Sequence, residues 1–254
     1  MRAMKLTLLR APGAPLLRVG HRGARGHAPE NTMASFMAGA AMGVQAVETD
    51  VQLSKDGEVV LIHDHTVDRT TDGRGFVRDM TLAELKQLDA GSWFGPRFAG
   101  ERIPTLAELL GWARDRVGVA IEIKNGPIYY PGIAEKTVGL VRRHGMERQV
   151  ILISFDHFVL REAKRVAPEI ATGILYVGGL VDAVAAARAA LADALHPNWA
   201  FVTPELVQAA HAGGLAVSPW NPNDAATLRL LSAMGVDSAG TDYPELFDQA
   251  ERDG

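Results

Sequence analysis

Two carboxylates, Glu48 and Asp50, stand two residues apart in the apolar run AVETDVQLS, and His63 lies near the end of the next apolar run. In an extended strand, side chains two residues apart share a face, so these carboxylates project side by side. Two carboxylates on one inward face cost several kcal/mol unless positive charge joins them. The pair therefore indicates a metal ion, a basic side chain or an open polar mouth beside it.

A third carboxylate, Glu122, shares one face of the later run VAIEIKN with Lys124 in the same way. We expect Glu122 to join Glu48 and Asp50 around one ion. Three carboxylates suit a hard divalent cation, so Mg2+ or Ca2+ is favoured, although two nearby histidines keep zinc and manganese open. The alternative is a buried ion-pair network in which Lys124 or Arg22 neutralises the acids without a metal.

Two histidines, His21 and His63, fall at the ends of strand-like runs beside these acids. Three interpretations stay open: zinc ligands, buried structural imidazoles, or a general acid and base. Arg22 and Lys124 would hold an anion, because arginine's planar fork suits a phosphate, or they would only balance charge. Trp220 follows a late apolar run and is interpreted either as a lid over a substrate or as ordinary packing.

The elements that must position these side chains alternate between strand and helix over most of the chain. Thr32, Thr81 and Thr105 are predicted helix N-caps, the second of them opening a helix at 82–88. Alternation over 254 residues predicts a (β/α)8 TIM barrel, whose catalytic groups sit at the carboxyl ends of its strands. Nine strand candidates compete for eight places, so one of the last three, or the hairpin around KDG at 55–57, must be accessory.

Residues 65 to about 104 interrupt the alternation after the third predicted strand. A connection of this length inside such a fold is usually functional, and Trp93, Phe94 and Phe98 predict a small core of its own. We expect one domain over residues 1–254 with this segment inserted as a cap over the site. His65 belongs to the cap, and the histidines expected at the surface are His27, His144, His157 and His211.

Composition excludes several classes of partner and site. The formal net charge is -4 and no basic run is present, which argues against a nucleic-acid partner. There is no cysteine, so disulfides and thiolate metal sites are excluded. No apolar run approaches the roughly 20 residues that cross a bilayer. Arg10 and two prolines interrupt the amino-terminal apolar stretch, so we expect a cytoplasmic protein. Assembly of the chain into a homo-oligomer stays open.

Several short motifs follow one another along the chain. They are HRG (21–23), APENT (28–32), ETDVQLSKDGEVVLIHD (48–64), DRTTDGRG (68–75), LDAGSWF (88–94), ERIPTLAELL (101–110), IEIK (121–124), ISF (153–155) and GTDYP (240–244). In this order they resemble the glycerophosphodiester phosphodiesterase family over nearly the whole sequence. The resemblance implies a TIM barrel with a small insertion after the third strand, one divalent metal ion, and a small-molecule glycerophosphodiester substrate.

The reaction implied by the resemblance is hydrolysis of diesters such as glycerophosphocholine or glycerophosphoethanolamine to sn-glycerol 3-phosphate and an alcohol. The implied roles are metal binding for Glu48, Asp50 and Glu122, acid and base catalysis for His21 and His63, and phosphate contact for Arg22 and Lys124. Whether the nucleophile is water or the substrate's own glycerol 2-hydroxyl stays open, and so do the head group and which histidine is the acid.

One motif departs from the family. Where the family usually reads WTVN, this chain reads WNPN from Trp220 to Asn223, and Pro222 removes a backbone donor and fixes φ. We expect that loop to be reshaped, with an effect on substrate preference at that side of the site.

Two other functions are weighed. In the first, the chain would be an enzyme similar to the phospholipase D toxins of the same superfamily, which cleave lysophospholipids by internal transfer. The expected lack of a secretory signal, the absence of cysteine and the long insertion argue against this function. A lipid substrate would also want an exposed apolar rim, which we expect only the cap aromatics to supply. The other is a catalytically idle barrel that binds phosphodiesters, against which the intact His21 and His63 argue.

Overall fold

The computed structural model describes residues 6–11 and 13–252, so the first five residues of the amino-terminal stretch interpreted above lie outside the described chain. Its strands are β1 (Leu17–Gly20), β2 (Ala46–Leu53), β3 (Val59–Leu61), β4 (Gly118–Ile123), β5 (Val150–Ser154), β6 (Ala171–Tyr176), β7 (Ala194–Pro197), β8 (Ala216–Val217) and β9 (Ser238–Thr241). Eight of them, all except β3, are parallel neighbours in the order β8, β7, β6, β5, β4, β2, β1, β9.

Backbone hydrogen bonds bring the two end strands of this sheet together. Asp237 N donates to Val217 O at 2.9 Å and Gly240 N donates to Pro219 O at 3.2 Å, so the sheet forms a nearly closed barrel. The predicted (β/α)8 TIM barrel is confirmed.

The accessory strand is the hairpin around residues 55–57, one of the alternatives that the sequence left open. β3 runs antiparallel to the carboxyl half of β2, with Val51 opposite Leu61 and Leu53 opposite Val59. β2 therefore continues past the barrel wall and folds back on itself. As a result His63 reaches the site from this hairpin rather than from the end of a barrel strand.

The bounds of the helices are α1 (Met33–Ala41), α2 (Leu82–Leu85), α3 (Leu106–Ala113), α4 (Ile133–Arg143), α5 (His157–Val166), α6 (Ala183–Ala190), α7 (Pro204–Ala212), α8 (Ala225–Met234) and α9 (Glu245–Arg252). Most helices lie between consecutive barrel strands, α2 and α3 both lie between β3 and β4, and α9 follows the last strand. Thr32, Thr81 and Thr105 each accept a hydrogen bond from the first helical turn, the last two in full capping boxes. Over the described ranges, no helix is long and apolar enough to cross a membrane.

The helix predicted at 82–88 is observed only over Leu82–Leu85. The next residues form a turn and the chain then meets Asp89, whose carboxylate accepts hydrogen bonds from the backbone of Gly91, Ser92 and Gly100. An aspartate that captures nearby backbone donors competes with the helix for the following residues.

The two faces of the barrel wall are packed differently. Outward-facing residues form the main core against the helices, and several are fully buried: Val47, Val51, Val119, Ile121 and Leu152. Inward-facing residues are small or polar in many places, among them Ala46, Ala120, Ala194 and Ala216. They leave a cavity of about 130 Å³ along the barrel axis, closed at the amino-terminal end by Leu6 and Leu8.

The segment at 65–104 packs on the hairpin. Its buried side chains form a second cluster with β3 and its extension: Val60, Ile62, Val67, Val77, Leu85, Ala90 and Ile103. The expectation that Trp93, Phe94 and Phe98 form this core is wrong. Their rings make edge-to-face contacts with centroids 5.5–5.6 Å apart, but Trp93 is 40% exposed, because the aliphatic side chains occupy the positions against β3.

Candidate active site

Three carboxylates meet where β2 and β4 pair. Asp50 is the register partner of Glu122, and Glu48 precedes Asp50 by one full strand period. All three side chains are buried, and one oxygen from each lies within 4.8 Å of the others, which is close enough to hold a metal ion. The structure thus brings together the three acids that strand alternation predicts on one face.

Two cations lie against the carboxylates. Lys124 Nζ is 2.6 Å from Glu122 Oε1 and 3.1 Å from Asp50 Oδ1. Arg22 Nε is 3.3 Å from Asp50 Oδ2, and the Arg22 guanidinium also pairs with Glu30 at 2.7 Å. The ion-pair network weighed as an alternative to a metal is therefore present, but Arg22 shares its charge with a fourth acid.

The pKa values show that this network leaves the acids short of positive charge. Burial, with the charge of Asp50, raises the pKa of Glu48 well above its usual value. Burial also raises the pKa of Glu122 to about 7, although Lys124 favours the ionised form. Burial opposes ionisation of Asp50 as well, but Lys124 and Arg22 outweigh it and hold that pKa far below its usual value. A further cation would let all three acids ionise.

The donor set fits a hard divalent cation. Asp50 Oδ1 is buried and makes no hydrogen bond, because Lys124 lies close to it without hydrogen-bond geometry. The second oxygen of Asp50 accepts from Asn31 Nδ2 at 2.8 Å, which fixes the orientation of the carboxylate. Oxygen ligands of this kind suit Mg2+ or Ca2+. The Nε2 atom of His21 lies 3.9 Å from Glu48 Oε2, at the edge of this cluster.

The turn after β1 positions His21 and Arg22. Arg22 adopts a left-handed φ of 49°, and its backbone N–H donates to Glu48 Oε2 at 2.9 Å. Gly23 follows at φ 92° and lies so close to the backbone of Ser35 that a Cβ there would clash. The glycine of the HRG motif is therefore required by close approach as well as by φ.

His21 is held by a carboxylate from the far end of the barrel sequence. Its Nδ1 donates to Asp242 Oδ1 at 2.5 Å, and Asp242 is itself fixed by Asn223 Nδ2 at 2.9 Å. Asn221 Nδ2 donates to His21 Nε2 at 3.2 Å, which makes Nε2 the unprotonated nitrogen. Burial lowers the pKa of His21, although Asp242 favours the charged form, so the ring is neutral near pH 7.

His63 is held in a similar way but is more exposed. Its Nδ1 donates to Asp64 Oδ1 at 2.7 Å, and Arg69 joins Asp64 to Glu30 through hydrogen bonds of 2.7 Å on either side. Burial lowers the pKa of His63 too. Both histidines thus place Nδ1 on an aspartate and leave Nε2 as the nitrogen available to a proton.

Trp220 lies at the rim of the site. Its Nε1 donates to the backbone oxygen of His196 at 2.9 Å, and its ring meets Phe155 edge-to-face with centroids 5.6 Å apart. In the WNPN loop, Asn223 accepts hydrogen bonds from Thr241 and from the backbone of Asp242. Asn223 therefore ties the loop to the end of β9 and the residue after it, although Pro222 stands directly before it.

One cavity joins the predicted residues. It is lined by His21, Arg22, Glu48, His63, Glu122, Lys124 and Trp220, and Asp50 lies in the carboxylate cluster at its wall.

Sequence reasoning gave no role to three polar residues of this region: Asp242, Asn221 and His196. Asp242 lies in the GTDYP motif at a strand end, a signal of the same kind that selected the others. Asn221 is the second residue of the WNPN departure, and it faces His21.

Comparison with known proteins identifies relatives along the whole chain. The model of the glycerophosphoryl diester phosphodiesterase family matches residues 21–246. A glycerophosphodiester phosphodiesterase of Caldanaerobacter subterraneus subsp. tengcongensis is 44% identical over 94% of this chain and 98% of its own. A glycerophosphodiester phosphodiesterase of Bacillus subtilis is 33% identical over 93% of this chain and 87% of its own.

Solved structures agree in fold. An Oleispira antarctica phosphodiesterase in complex with the product sn-glycerol-3-phosphate superposes with a TM-score of 0.84 at 34% identity, covering 94% of this chain and 97% of that one. A glycerophosphodiester phosphodiesterase from Agrobacterium tumefaciens superposes with a TM-score of 0.82 at 33% identity, covering 92% and 99%.

Proposed function

The chain belongs to the glycerophosphoryl diester phosphodiesterase family and is an enzyme of that activity, and we propose the chemistry by which its own residues carry it out. The substrates are glycerophosphodiesters such as glycerophosphocholine or glycerophosphoethanolamine, and the products are sn-glycerol 3-phosphate and an alcohol. The observation that supports this most is one mouth that joins three carboxylates, two cations and two histidines, each bonded to an aspartate through Nδ1. An idle phosphodiester-binding barrel would need no such histidine pair.

Glu48, Asp50 and Glu122 would hold one divalent ion, Mg2+ or Ca2+. Bound there, the ion would neutralise phosphate charge and stabilise the negative charge that develops on the phosphoryl group. Arg22 and Lys124 flank the acids and would hold the phosphate itself, since both keep their charge in the site.

His21 and His63 would move the two protons that the reaction requires. One, in its neutral form, takes the proton of the attacking oxygen at Nε2; the other enters the reaction as the imidazolium, gives the proton on Nε2 to the leaving alkoxide and becomes neutral. Their aspartate partners, Asp242 and Asp64, fix the tautomer and stabilise the charged form when it arises. The attacking oxygen is water or the glycerol 2-hydroxyl, and 31P NMR during turnover distinguishes them, because only the second route passes through a cyclic phosphate.

The segment at 65–104 belongs, on this proposal, to the same domain as the barrel. Its buried side chains pack on Val60 and Ile62 of the hairpin that carries His63. It would hold that histidine in place and would not fold as a separate unit.

The test is release of sn-glycerol 3-phosphate from glycerophosphocholine by protein stripped of metal and then given Mg2+ or Ca2+ separately. We expect no release without metal and recovery with at least one of the two ions. Glu122→Gln should not recover, whereas Glu135→Gln on the exposed face of α4 should recover fully. Equal release by stripped and reloaded protein would contradict the metal assignment, and recovery by Glu122→Gln would contradict this ligand.

A second candidate is cleavage of lysophospholipids, and one observation favours it. The segments after β4, β5, β6 and β7, including the first turn of α5, are consecutive around the mouth and carry exposed large apolar side chains: Tyr129, Phe155, Phe158, Val177, Leu180, Val181, Trp199 and Phe201. The expectation that only the cap aromatics supply an apolar rim is therefore wrong. Such a rim suits an acyl chain. Choline release from lysophosphatidylcholine, compared with release from glycerophosphocholine, measures how far this substrate is used.

A further inference from the structure

His196 is a buried histidine for which the proposed reaction has no use. It lies on β7 and faces the barrel axis together with Ala194, two residues earlier. The residue is 7% exposed, its Nε2 has no hydrogen-bond partner, and no hydrogen bond to its ring occurs within residues 6–11 and 13–252. Only its backbone oxygen is engaged, by the indole N–H of Trp220.

An imidazole in this position carries unused hydrogen-bonding capacity. Burial lowers the pKa of His196 to about 4, so the ring is neutral near pH 7 and presents one donor and one acceptor nitrogen. Nε2 is closed off from the cavity, so a ligand uses this capacity by forming a hydrogen bond with Nδ1. The Nε2 edge of the ring lies against Gly173 of β6, where a Cβ would clash with Cδ2 and Nε2, so the Nδ1 edge is the part of the ring that can meet a ligand in the cavity.

The cavity that His196 faces is continuous with the phosphate site. His196 lines it together with His21, Glu48 and Glu122 at the mouth, while Leu175, Ile153 and small residues form its walls. Its volume of about 130 Å³ is roughly ten times the 10–15 Å³ that suffices to hold one water molecule. A short carbon skeleton can therefore extend from the mouth toward the ring.

We infer that His196 binds a hydroxyl of the substrate's glycerol half, which enters the barrel axis from the phosphate site. This rests on the proposed function and assigns an orientation to its substrate. The apolar walls suit the carbons of glycerol, and the neutral ring suits the terminal hydroxyl, which lies farthest from the phosphate. A choline or ethanolamine group fits poorly, because a neutral imidazole gives no counter-charge to a desolvated cation. The alcohol to be released therefore stays at the mouth.

The experiment compares two diesters that differ only in this hydroxyl. Glycerophosphocholine is set beside the phosphocholine diester of propane-1,2-diol, which keeps the hydroxyl next to the phosphate-bearing carbon and lacks the terminal one. We expect wild-type kcat/KM to favour glycerophosphocholine by roughly 10- to 100-fold, because the analogue leaves His196 unpaired. His196→Leu should lose that preference by falling on glycerophosphocholine alone, and His196→Gln should keep part of it.

A matched control is Tyr176→Phe. Tyr176 Oη is also buried without a hydrogen-bond partner, but its ring belongs to the core outside the barrel wall and does not line the cavity. Its substitution should leave the preference unchanged. Gly173→Ala provides a second perturbation of His196, since the added methyl displaces the ring, and it should weaken the preference as His196→Leu does.

Binding gives a readout that does not depend on turnover. Calorimetry should show that wild type binds sn-glycerol 3-phosphate more tightly than propane-1,2-diol 1-phosphate, and that His196→Leu binds them alike. A wild type without preference, or a folded His196→Leu that retains it, would overturn the inference and leave the proposed function standing. A wild type that turns over neither diester with metal supplied would overturn both.

Discussion

The two faces of one barrel wall differ in what they contain. On β2, Val47 and Val51 face outward into the main core and are fully buried, whereas Glu48 and Asp50 between and beside them face inward. On β4, Ile121 faces outward and Glu122 inward. The outer face is mainly apolar packing, interrupted by residues such as Thr49, and the inner face combines small side chains, charged groups and a cavity.

This difference separates stability from chemistry at adjacent positions of the same strand. Burial of aliphatic surface outside stabilises the fold, while the inner face holds buried charges that burial alone disfavours. Substitutions on the outer face should therefore change the free energy of unfolding, and those on the inner face should change rates. Four measurements test the separation.

The largest effect is expected at the histidines of the site. His63→Ala should lower kcat by about 10² to 10⁴-fold, because one of the two proton transfers loses its group. The melting temperature should change little, since the ring is half-exposed. His144→Ala is the control: that histidine lies at the end of α4, bonded to Leu140 O, and activity should be retained. Comparable activity in both variants would remove His63 from the proton-transfer pair.

An outer-face substitution should show the opposite pattern. Leu152→Ala on β5 deletes a fully buried side chain of the main core and should lower the free energy of unfolding by about 2–5 kcal/mol. Urea denaturation measures this loss. The value of kcat, assayed well below the melting temperature, should stay within twofold of wild type. A large fall in kcat without loss of stability would show that the two faces are not independent.

Asp242 tests the inner face without removing a group that moves a proton. Asp242→Asn keeps a side chain of the same size but no longer stabilises a charged His21 or fixes its tautomer. We expect kcat to fall roughly 10- to 100-fold while KM and the melting temperature change little. Loss of stability in proportion to loss of rate would instead assign Asp242 to the fold.

His196 is an inner residue expected to affect stability through pH, as are Glu48, Glu122 and His21, whose pKa values the fold also shifts. The pKa of His196 is lowered to about 4 in the fold, below the 6.5 of an ordinary histidine, so between these values the unfolded state binds more protons. Stability is complete above pH 6.5 and falls as pH drops toward 4, by about 2 kcal/mol at pH 5 from this residue. Denaturation of His196→Leu should show a smaller loss from pH 8 to pH 5. An identical loss in both proteins would mean that the ring is not buried in neutral form.

The outer face and the carboxylate cluster could be predicted because both follow from strand periodicity. A period of two placed Glu48 with Asp50 and Glu122 with Lys124, and the meeting of strand ends in a barrel predicted that the two pairs lie together. Thr81 and Thr105 predicted the starts of their helices, because each is an N-cap residue type directly before a helical pattern. These signals are contained within a few residues, so no tertiary information was needed to interpret them.

Other features depend on contacts between distant parts of the chain. Asp242 meets His21 across 221 positions, and no local pattern identifies that partner. The sequence left the accessory strand either among the last three strand candidates or in the hairpin around 55–57. Only the observed hydrogen-bond pairing of strands distinguishes a hairpin arm from a barrel strand. The aromatic residues at 93–98 were assigned to a core by their type, whereas the space against β3 went to smaller aliphatic side chains. No sequence pattern selects His196, because what distinguishes it is that its ring has no hydrogen-bond partner among the described residues.

The contact between His21 and Asp242 also bears on how the enzyme folds. It joins the first strand of the barrel to the turn after the last, and such long-range contacts form late because their loop-closure entropy must be offset first. Strands β4 to β7 pair in chain order and can assemble earlier. Recovery of catalysis during refolding therefore reports closure of the barrel ring, and a chain still being synthesised lacks a complete site until its last strand is in place.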